Sequence, residues 1–450
     1  MSVTSFHPAE AEQVLQPAQL HRAVKKSGRK RRLVSLALFG PLLAFVLVFF
    51  IFPIVSFMAL AFHNDEVRTG FPLTSQAIQG WDGIGTPSEQ VFEALAQDLR
   101  DSSRPEAVTI AAARLNFDVI GFRSLILSTA TGLRQAADAT SKPAQEESVP
   151  DGFSIFGNAA AEDSSQARAS LGTPKQQLIA IDPRWEETRY WAAVKRGTWA
   201  VTPLYVLAAL DLRTADDGSI EWASPDRQIY LTLIGRTFFV SAIVTLISIA
   251  LGFPVARFIS TQPPSRANLF MFLVLVPLWT SILVRTTAWV VLLQGEGLLN
   301  DVIVKLGLSA TRLPLIHNRF GVYVAMVHIC LPFMVLPLYS VMKSVPTSYT
   351  RAAASLGAAP MRVFFKIYLP LVFPGVAAGA LLVFIMGLGF YVTPALVGGP
   401  RDQMLSYFIA AAISRELNWG MAAALSIILV VIVIVTLFVL RRFSSTAFTR

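Results

Sequence analysis

The sequence predicts an all-α integral membrane protein, with six transmembrane helices and a mostly helical extracytoplasmic insertion between helices 1 and 2. Three observations predict it. Of 450 residues, 54% are apolar and 15% are charged, where a soluble domain carries about 25% charged residues. Six apolar runs are long enough for a bilayer core about 30 Å thick, which takes about 20 residues of helix. The charge is also segregated. Residues 63–228 hold 23 of the 29 acidic and 15 of the 38 basic residues, a net of −8, so the remainder is +17 and sits in short stretches beside apolar runs.

The first run, Leu33–Phe62, has no charged residue. Ala59-Leu60-Ala61 would serve as a signal-cleavage site, but a run of roughly 28 apolar residues far exceeds the 7–15 of a signal peptide. An uncleaved anchor is expected. The second run extends from about Thr237 to Ala256, and the third from Leu269 into the 290s, with Arg285 inside it. The fourth is Phe320–Met342, the fifth Leu371–Val397 and the sixth about Met421–Leu440.

Lysine and arginine near the run ends set the orientation, because cytoplasmic loops concentrate them. Arg22, Lys25, Lys26, Arg29, Lys30, Arg31 and Arg32 precede the first run. Arg257 and Arg266 follow the second; Lys343, Arg351, Arg362 and Lys366 follow the fourth; Arg441, Arg442 and Arg450 follow the sixth. Six spans with both termini cytoplasmic satisfy every cluster. The chain then divides into a basic cytoplasmic tail (1–32), a first helix (33–62), an extracytoplasmic insertion (63–228), a five-helix core (229–441) with a cytoplasmic loop at 343–370, and a short cytoplasmic tail (442–450).

Bases placed for topology in this way argue against nucleic-acid binding, which wants one basic face. The single cysteine, Cys330, lies in an apolar run and excludes an intrachain disulfide; it reads as a small buried apolar residue. The five histidines, His7, His21, His63, His317 and His328, are scattered, and no metal-ligand or catalytic spacing appears.

Within the insertion, Glu89–Arg100, Pro105–Leu115, Phe122–Ala137 and Pro183–Lys195 carry apolar residues at helical spacing. Trp185, Trp191, Trp199 and Tyr205 are available for a small core. About Ala139–Pro174 is rich in Ala, Ser, Glu, Gln and Pro, which reads as a flexible linker joining two helical pieces. The insertion is expected to be either a helical cap or a docking surface for a soluble binding protein.

The most informative stretch is the loop after the fourth run. Thr347 or Ser348 is placed to cap a short Ala-rich helix. Gly357 stands where that helix has to stop, and Pro360 suits the first turn of a second helix. Leu369-Pro370 leads into the fifth run. The expected product is a compact helix–turn–helix whose small residues, Ala352, Ala353, Ala354, Ala358 and Ala359, let another protein approach closely.

These residues carry a resemblance. Permeases of ABC importers share the pattern E-A-A-x-x-x-G, then nine residues, then I-x-L-P. Here Ala352, Ala353, Gly357, Ile367, Leu369 and Pro370 stand at those spacings; the family's acid is replaced by Arg351, a reversal of charge. The resemblance implies that this loop contacts a cytoplasmic ATPase through Arg351, Ala352, Ala353, Gly357, Ala358, Pro360 and Pro370. No G-x-x-x-x-G-K-[ST] occurs in the chain. The expectation is therefore a transport subunit with no cofactor of its own, ATP being bound by a partner.

Three further stretches narrow the resemblance: Val276-Pro277-Leu278-Trp279 continuing through Arg285-Thr286 to Ala288-Trp289; Gly297-Leu298-Leu299-Asn300; and Gly389-Phe390-Tyr391-Val392-Thr393-Pro394 continuing to Gly399-Pro400. Together they look like the first permease of spermidine/putrescine-type importers, over about residues 33–62 and 229–441. That implies a second homologous permease, two ATPase subunits, a periplasmic substrate-binding protein and a lipid bilayer as partners, and a polyamine, opine or related amino compound as substrate. The candidate pathway residues are Trp279, Arg285, Trp289, Phe390, Tyr391 and Thr393. The apolar runs contain no Asp or Glu to meet a polycation. If the third run were one straight helix from Leu269, Arg285 would lie roughly 24 Å along it. There it either snorkels to the outer headgroups or places a fixed positive charge at the external mouth. The Gly375-x-x-x-Gly379 pair reads as close helix packing.

Two rival classes stand beside this one. A membrane-anchored sensor or assembly protein would act through 63–228, but calls for a cytoplasmic output domain, for which the ten residues after Leu440 are too few. A secondary transporter would carry ionisable groups or broken helices at mid-membrane. Neither accounts for the spacing of Gly357, Ile367 and Pro370.

Overall fold

The computed structural model describes residues 39–101, 103–141, 173–215 and 219–448. The predicted tail at 1–32 and most of the predicted linker at 139–174 lie outside the described residues. The chain forms two compact units, Met1–Ala59 and Leu60–Arg450. Among the described residues, six helices are long and apolar enough to cross a membrane: Phe39–Ala59, Tyr230–Thr261, Ile282–Lys305, Arg319–Ser344, Pro360–Gly389 and Trp419–Val439.

In the first unit, Phe39–Ala59 is apolar throughout, and its middle widens to a π-turn at Leu47–Ile51. The cause is Pro53. A proline has no N–H for the carbonyl four residues back and its ring crowds that oxygen; one residue of slack ahead of it relieves both.

The second unit begins with the inserted segment. It contains Glu66–Gly70, Pro72–Ala77, Glu89–Arg100, Pro105–Asp118, Phe122–Ser141, Pro174–Ile181, Thr188–Gly197 and Leu204–Ala209. An antiparallel hairpin of β1 (Leu212–Thr214) and β2 (Ile220–Trp222) follows. The predicted helix at Pro183–Lys195 is two elements: a 3-10 turn at Pro183–Glu186, capped by the Asp182 carboxylate on the Arg184 N–H, and a helix at Thr188–Gly197.

The helical pieces on the two sides of 142–172 close one core. Trp185, Tyr190 and Trp191 from the second piece are buried against Phe92 and Phe122 from the first. Ring centroids stand 4.6 Å apart for Phe92–Trp191 and 4.9 Å for Trp185–Trp191, and each such pair adds about 0.5–1.5 kcal/mol beyond its buried area. The indole N–H of Trp185 donates to Thr129 Oγ1 and that of Trp191 to the Trp185 carbonyl, both at 2.9 Å, so neither polar tip is wasted. Asp182 is nearly buried and pairs with Arg184 at 2.6 Å; the hydrogen bond from that guanidinium holds its carboxyl below the usual carboxylate range. Trp199 and Tyr205 do not join this core. Trp199 is half exposed, and Tyr205 is buried elsewhere.

In the membrane core, Tyr230–Thr261, Arg319–Ser344 and Pro360–Gly389 pack together around Val240, Val244, Met326, Met334, Leu338, Val372 and Val383. Gly375 and Gly379 lie on that contact as expected. A Cβ at Gly375 would stand 2.9 Å from Val341 Cβ, and one at Gly379 2.8 Å from Met334 Sδ. Cys330 is buried here. Thr237, Ser241 and Thr245 are buried too, and each hydroxyl donates to the carbonyl four residues back, which keeps polar groups satisfied in an apolar helix.

Two of the predicted runs are interrupted. The third is two helices, Pro264–Leu275 and Ile282–Leu293, separated by a 3-10 turn at Val276–Trp279 and extended residues at Thr280 and Ser281. Pro277 and the Ser281 hydroxyl, which accepts from the Val284 N–H, make the break. The fifth run ends at Gly389; Phe390 and Tyr391 turn the chain into a separate short helix, Val392–Val397, which packs against Ile282–Leu293 and Arg319–Ser344. An apolar helix at Leu405–Ser414, absent from the sequence reading, precedes the last span.

The insertion is fastened to the membrane core at two helix starts. The Asp211 carboxylate accepts from the N–H groups of Ile229, Tyr230 and Leu231 at 3.1, 3.0 and 2.8 Å. It thereby caps Tyr230–Thr261, whose first N–H groups have no partner inside the helix. The Tyr205 ring lies on Gly420 in the first turn of Trp419–Phe448.

Candidate functional site

The loop after Arg319–Ser344 forms the expected helix–turn–helix, with two changes. The first helix is Thr347–Ser355, but Pro346 holds the cap position and no side chain caps it; Thr347 is already helical. The stop is a Schellman motif, with the Gly357 N–H donating to the Ala354 carbonyl at 3.0 Å and the Ala358 N–H to the Ala353 carbonyl at 3.1 Å. Gly357 has φ +78°, a conformation that costs a residue bearing a Cβ roughly 1–2 kcal/mol. Pro360 opens the second helix.

That second helix continues into the span without interruption through Gly389. Pro370 is therefore not a boundary. It sits two residues past a π-turn at Phe364–Tyr368, the same accommodation that Pro53 receives. The helix–turn–helix and the fifth span consequently share one rod. At its base, the Arg257 guanidinium lies 4.3 Å from the Tyr368 ring centroid and donates to its hydroxyl at 3.1 Å. This ties the far end of Tyr230–Thr261 to the loop.

The surface of the turn differs from the small-residue face expected. Arg351, Ala352, Gly357, Pro360 and Pro370 are exposed and Ala358 is half-buried, but Ala353 is buried and faces its own chain. Ala353 cannot touch a partner there; its small size lets Thr347–Ser355 pack down on the following turn. The exposed face carries large apolar side chains that sequence reasoning missed: Leu356 is 88% exposed and Met361 69%, and Tyr349 and Phe365 in the same loop are exposed too. Apolar residues at the loop's two helix ends were the available signal. Among the described residues Arg351 makes no ion pair or side-chain hydrogen bond.

The candidate pathway residues separate into three places. Arg285, Trp289 and Thr393 come together where Ile282–Leu293 meets Val392–Val397 and Arg319–Ser344. The Thr393 and Thr286 hydroxyls are 3.1 Å apart and both buried, and the Trp289 indole N–H donates to His328 Nδ1 at 3.2 Å. Arg285, one turn before Trp289, is partly buried; its Nε and Nη1 are buried without a hydrogen-bond partner. Phe390 instead packs into the apolar core, while Tyr391 next to it is exposed. Trp279 is 73% exposed and touches Phe272, with centroids 5.2 Å apart. The helix break at Thr280–Ser281 removes the straight-rod geometry that would put Arg285 roughly 24 Å from Leu269. Thr286 and His328 were missed; the i, i+4 spacing of Arg285 and Trp289 was the one hint of a shared face.

These features can be set beside known proteins. Residues 248–445 match the family described as binding-protein-dependent transport system inner membrane component. The chain is 32% identical over 214 residues to the spermidine/putrescine transport system permease protein PotB of Haemophilus influenzae, covering 48% of this chain and 75% of that protein. It is 30% identical over 226 residues to the inner membrane ABC transporter permease protein YdcU of Escherichia coli, covering 47% and 71%. Among solved structures it is similar to the MetNI methionine ABC transporter in inward-facing conformations, at 17% identity and a TM-score of 0.39 over 50% of this chain and 99% of that one. The chain belongs to the binding-protein-dependent transport inner-membrane component family, and is a multi-pass inner-membrane permease subunit of an ABC importer whose ATPase is a separate subunit.

Proposed function

We propose that this chain forms half of the translocation pathway for a small amino compound of the polyamine or opine type, delivered by a periplasmic binding protein. A second homologous permease supplies the other half, and two ATPase subunits engage the turn at 343–370 of each permease. The observation that carries this reading is the turn itself: a rigid Schellman-stopped helix, exposed at Leu356 and Met361, continuous with the fifth span and bonded to the end of the second. A push on such an element moves spans as bodies.

In this topology the turn and both termini are cytoplasmic, and the insertion is periplasmic. The bond between Arg257 and Tyr368 supports it by placing the basic ends of two spans on one side. Asp211 and Tyr205 attach the insertion at the start of Tyr230–Thr261 and Trp419–Phe448. ATP binding closes the ATPase pair, displaces the turns and switches the pathway from inward-facing to outward-facing. Arg285 and Trp289 line this chain's share of the pathway, backed by the buried Thr286–Thr393 pair, and there an unpaired guanidinium favours a substrate with a carboxylate over a bare polycation.

The test is purification from the native host in mild detergent, mass spectrometry of what stays bound, and uptake of labelled spermidine, putrescine and an opine in a strain lacking the chain. Co-purifying ATPase and a second permease, with restored uptake of one of these solutes, support the reading. A chain that purifies alone and restores uptake of none of them overturns it.

A further inference from the structure

We propose that a basic pocket at the base of the insertion binds the phosphate of a membrane phospholipid headgroup. This cavity of about 390 Å³ is lined by Arg68, Gln79, Lys195, Thr198, Trp199 and Val201, together with Ala200. It holds two cations, and among the described residues neither has a carboxylate within ion-pair distance. Arg68 Nε donates to the Thr198 carbonyl at 2.6 Å, which fixes the guanidinium and leaves its two terminal nitrogens free of protein partners among the described residues. Lys195 Nζ donates to the Trp81 carbonyl and lies 5.8 Å from that ring's centroid. Both charges are therefore positioned by neutral groups and neutralised by none, the condition in which a phosphate is favoured.

The pocket's place in the fold selects the occupant. Val201 is four residues before Tyr205, so the chain between them reaches at most roughly 14 Å, and Tyr205 lies on Gly420 in the first turn of the last span. The exposed side chains in this region are those of a membrane boundary: Trp199 and Val201 on the pocket, Ile220 and Trp222 on β2, and Leu417 and Trp419 at the start of the last span. Tryptophan concentrates at the headgroup level, where its ring is half in hydrocarbon and half in water. A basic pocket framed by such residues opens onto lipid phosphates. The inference requires only that the spans cross a bilayer; it holds or fails independently of what the importer carries.

The experiment uses the detergent-purified complex, native mass spectrometry, and titration with phosphatidylglycerol in mixed micelles. Arg68→Gln with Lys195→Gln removes both charges while keeping a donor for each carbonyl. Phosphatidylglycerol affinity is expected to fall about fivefold per cation, roughly 25-fold in all, with the thermal melt unchanged. The charge-keeping pair, Arg68→Lys with Lys195→Arg, is expected to retain it. Equal lipid binding in the glutamine variant, or equal loss in both variants, overturns the proposal. So does competition by millimolar inorganic phosphate as effective as that by lipid, which would make this a site for a free anion.

Discussion

The ring of Tyr205 occupies the space in which a side chain at position 420 would stand: a Cβ on Gly420 would overlap Cε2, Cδ2 and Cζ of that ring. Tyr205 belongs to the insertion and Gly420 to the first turn of the last span. On the other side, the tyrosine hydroxyl donates to Glu66 Oε1 at 3.5 Å and the Arg114 guanidinium covers the ring at 5.3 Å. Burial raises the phenol well above its ordinary range.

Gly420→Leu is therefore expected to destabilise the chain by about 1–3 kcal/mol through overpacking. Thermal unfolding in detergent measures this. Adding Tyr205→Ala should restore part of the loss, because the two changes share one volume; a double variant no better than the single one would show that the contact is not tight.

At the helix–turn–helix, a Cβ on Gly357 meets nothing within 4 Å, so its φ of +78° is the only constraint. Gly357→Val should lower uptake several-fold, with strain of roughly 1–2 kcal/mol at the turn. Gly357→Asn should keep most of it, since asparagine tolerates the left-handed region. Loss of uptake in both would point to surface chemistry instead of backbone shape.

Replacing Arg285 by Gln separates snorkelling from function. Removing a charge from a span eases insertion, so the amount in the membrane should be unchanged or higher. Uptake should nevertheless fall about tenfold, the loss of roughly 1.4 kcal/mol of transition-state stabilisation. Unchanged uptake would leave Arg285 as an interfacial anchor.

Asp182 makes the insertion's stability sensitive to acid. Its folded pKa is lowered by the Arg184 hydrogen bond from an unfolded value of about 3.9. Its contribution is fully present above that unfolded value and is lost as pH falls through the lower folded one. Melting followed from pH 6 to pH 3 should show the wild type losing stability below about pH 4, and Asp182→Asn should be less stable above that point and less pH-sensitive.

What the sequence disclosed and what it withheld follow a physical division. Local patterns were readable: the spans, the Glu89–Arg100 helix, the stop at Gly357 and the close approach at Gly375 and Gly379. The interruptions at Ser281 and Phe390 were not, because an apolar run looks alike whether one helix or two thread it. Trp199 was assigned to the core and stands exposed; Ala353 was assigned to the surface and is buried. Trp199 lies just past the end of Thr188–Gly197 and Ala353 on one face of Thr347–Ser355; which of them is covered is set by packing from distant residues. The meeting of Arg285, Trp289, His328 and Thr393 joins three separate segments, and no spacing in one of them announces it.

The helix Tyr230–Thr261 is tied at both ends. Asp211 grips its first turn and the Arg257–Tyr368 bond holds it near its other end, about 40 Å apart at 1.5 Å per residue. It behaves as a pushrod: tilting at one end is a displacement at the other, with no signal to relay through loosely packed side chains. On the proposed function, a clamp on the insertion is therefore expected to act on ATP turnover at a distance. An antibody fragment that clamps residues 63–228 should slow hydrolysis in the assembled importer, and cutting the pushrod's upper grip with Asp211→Ala should release it.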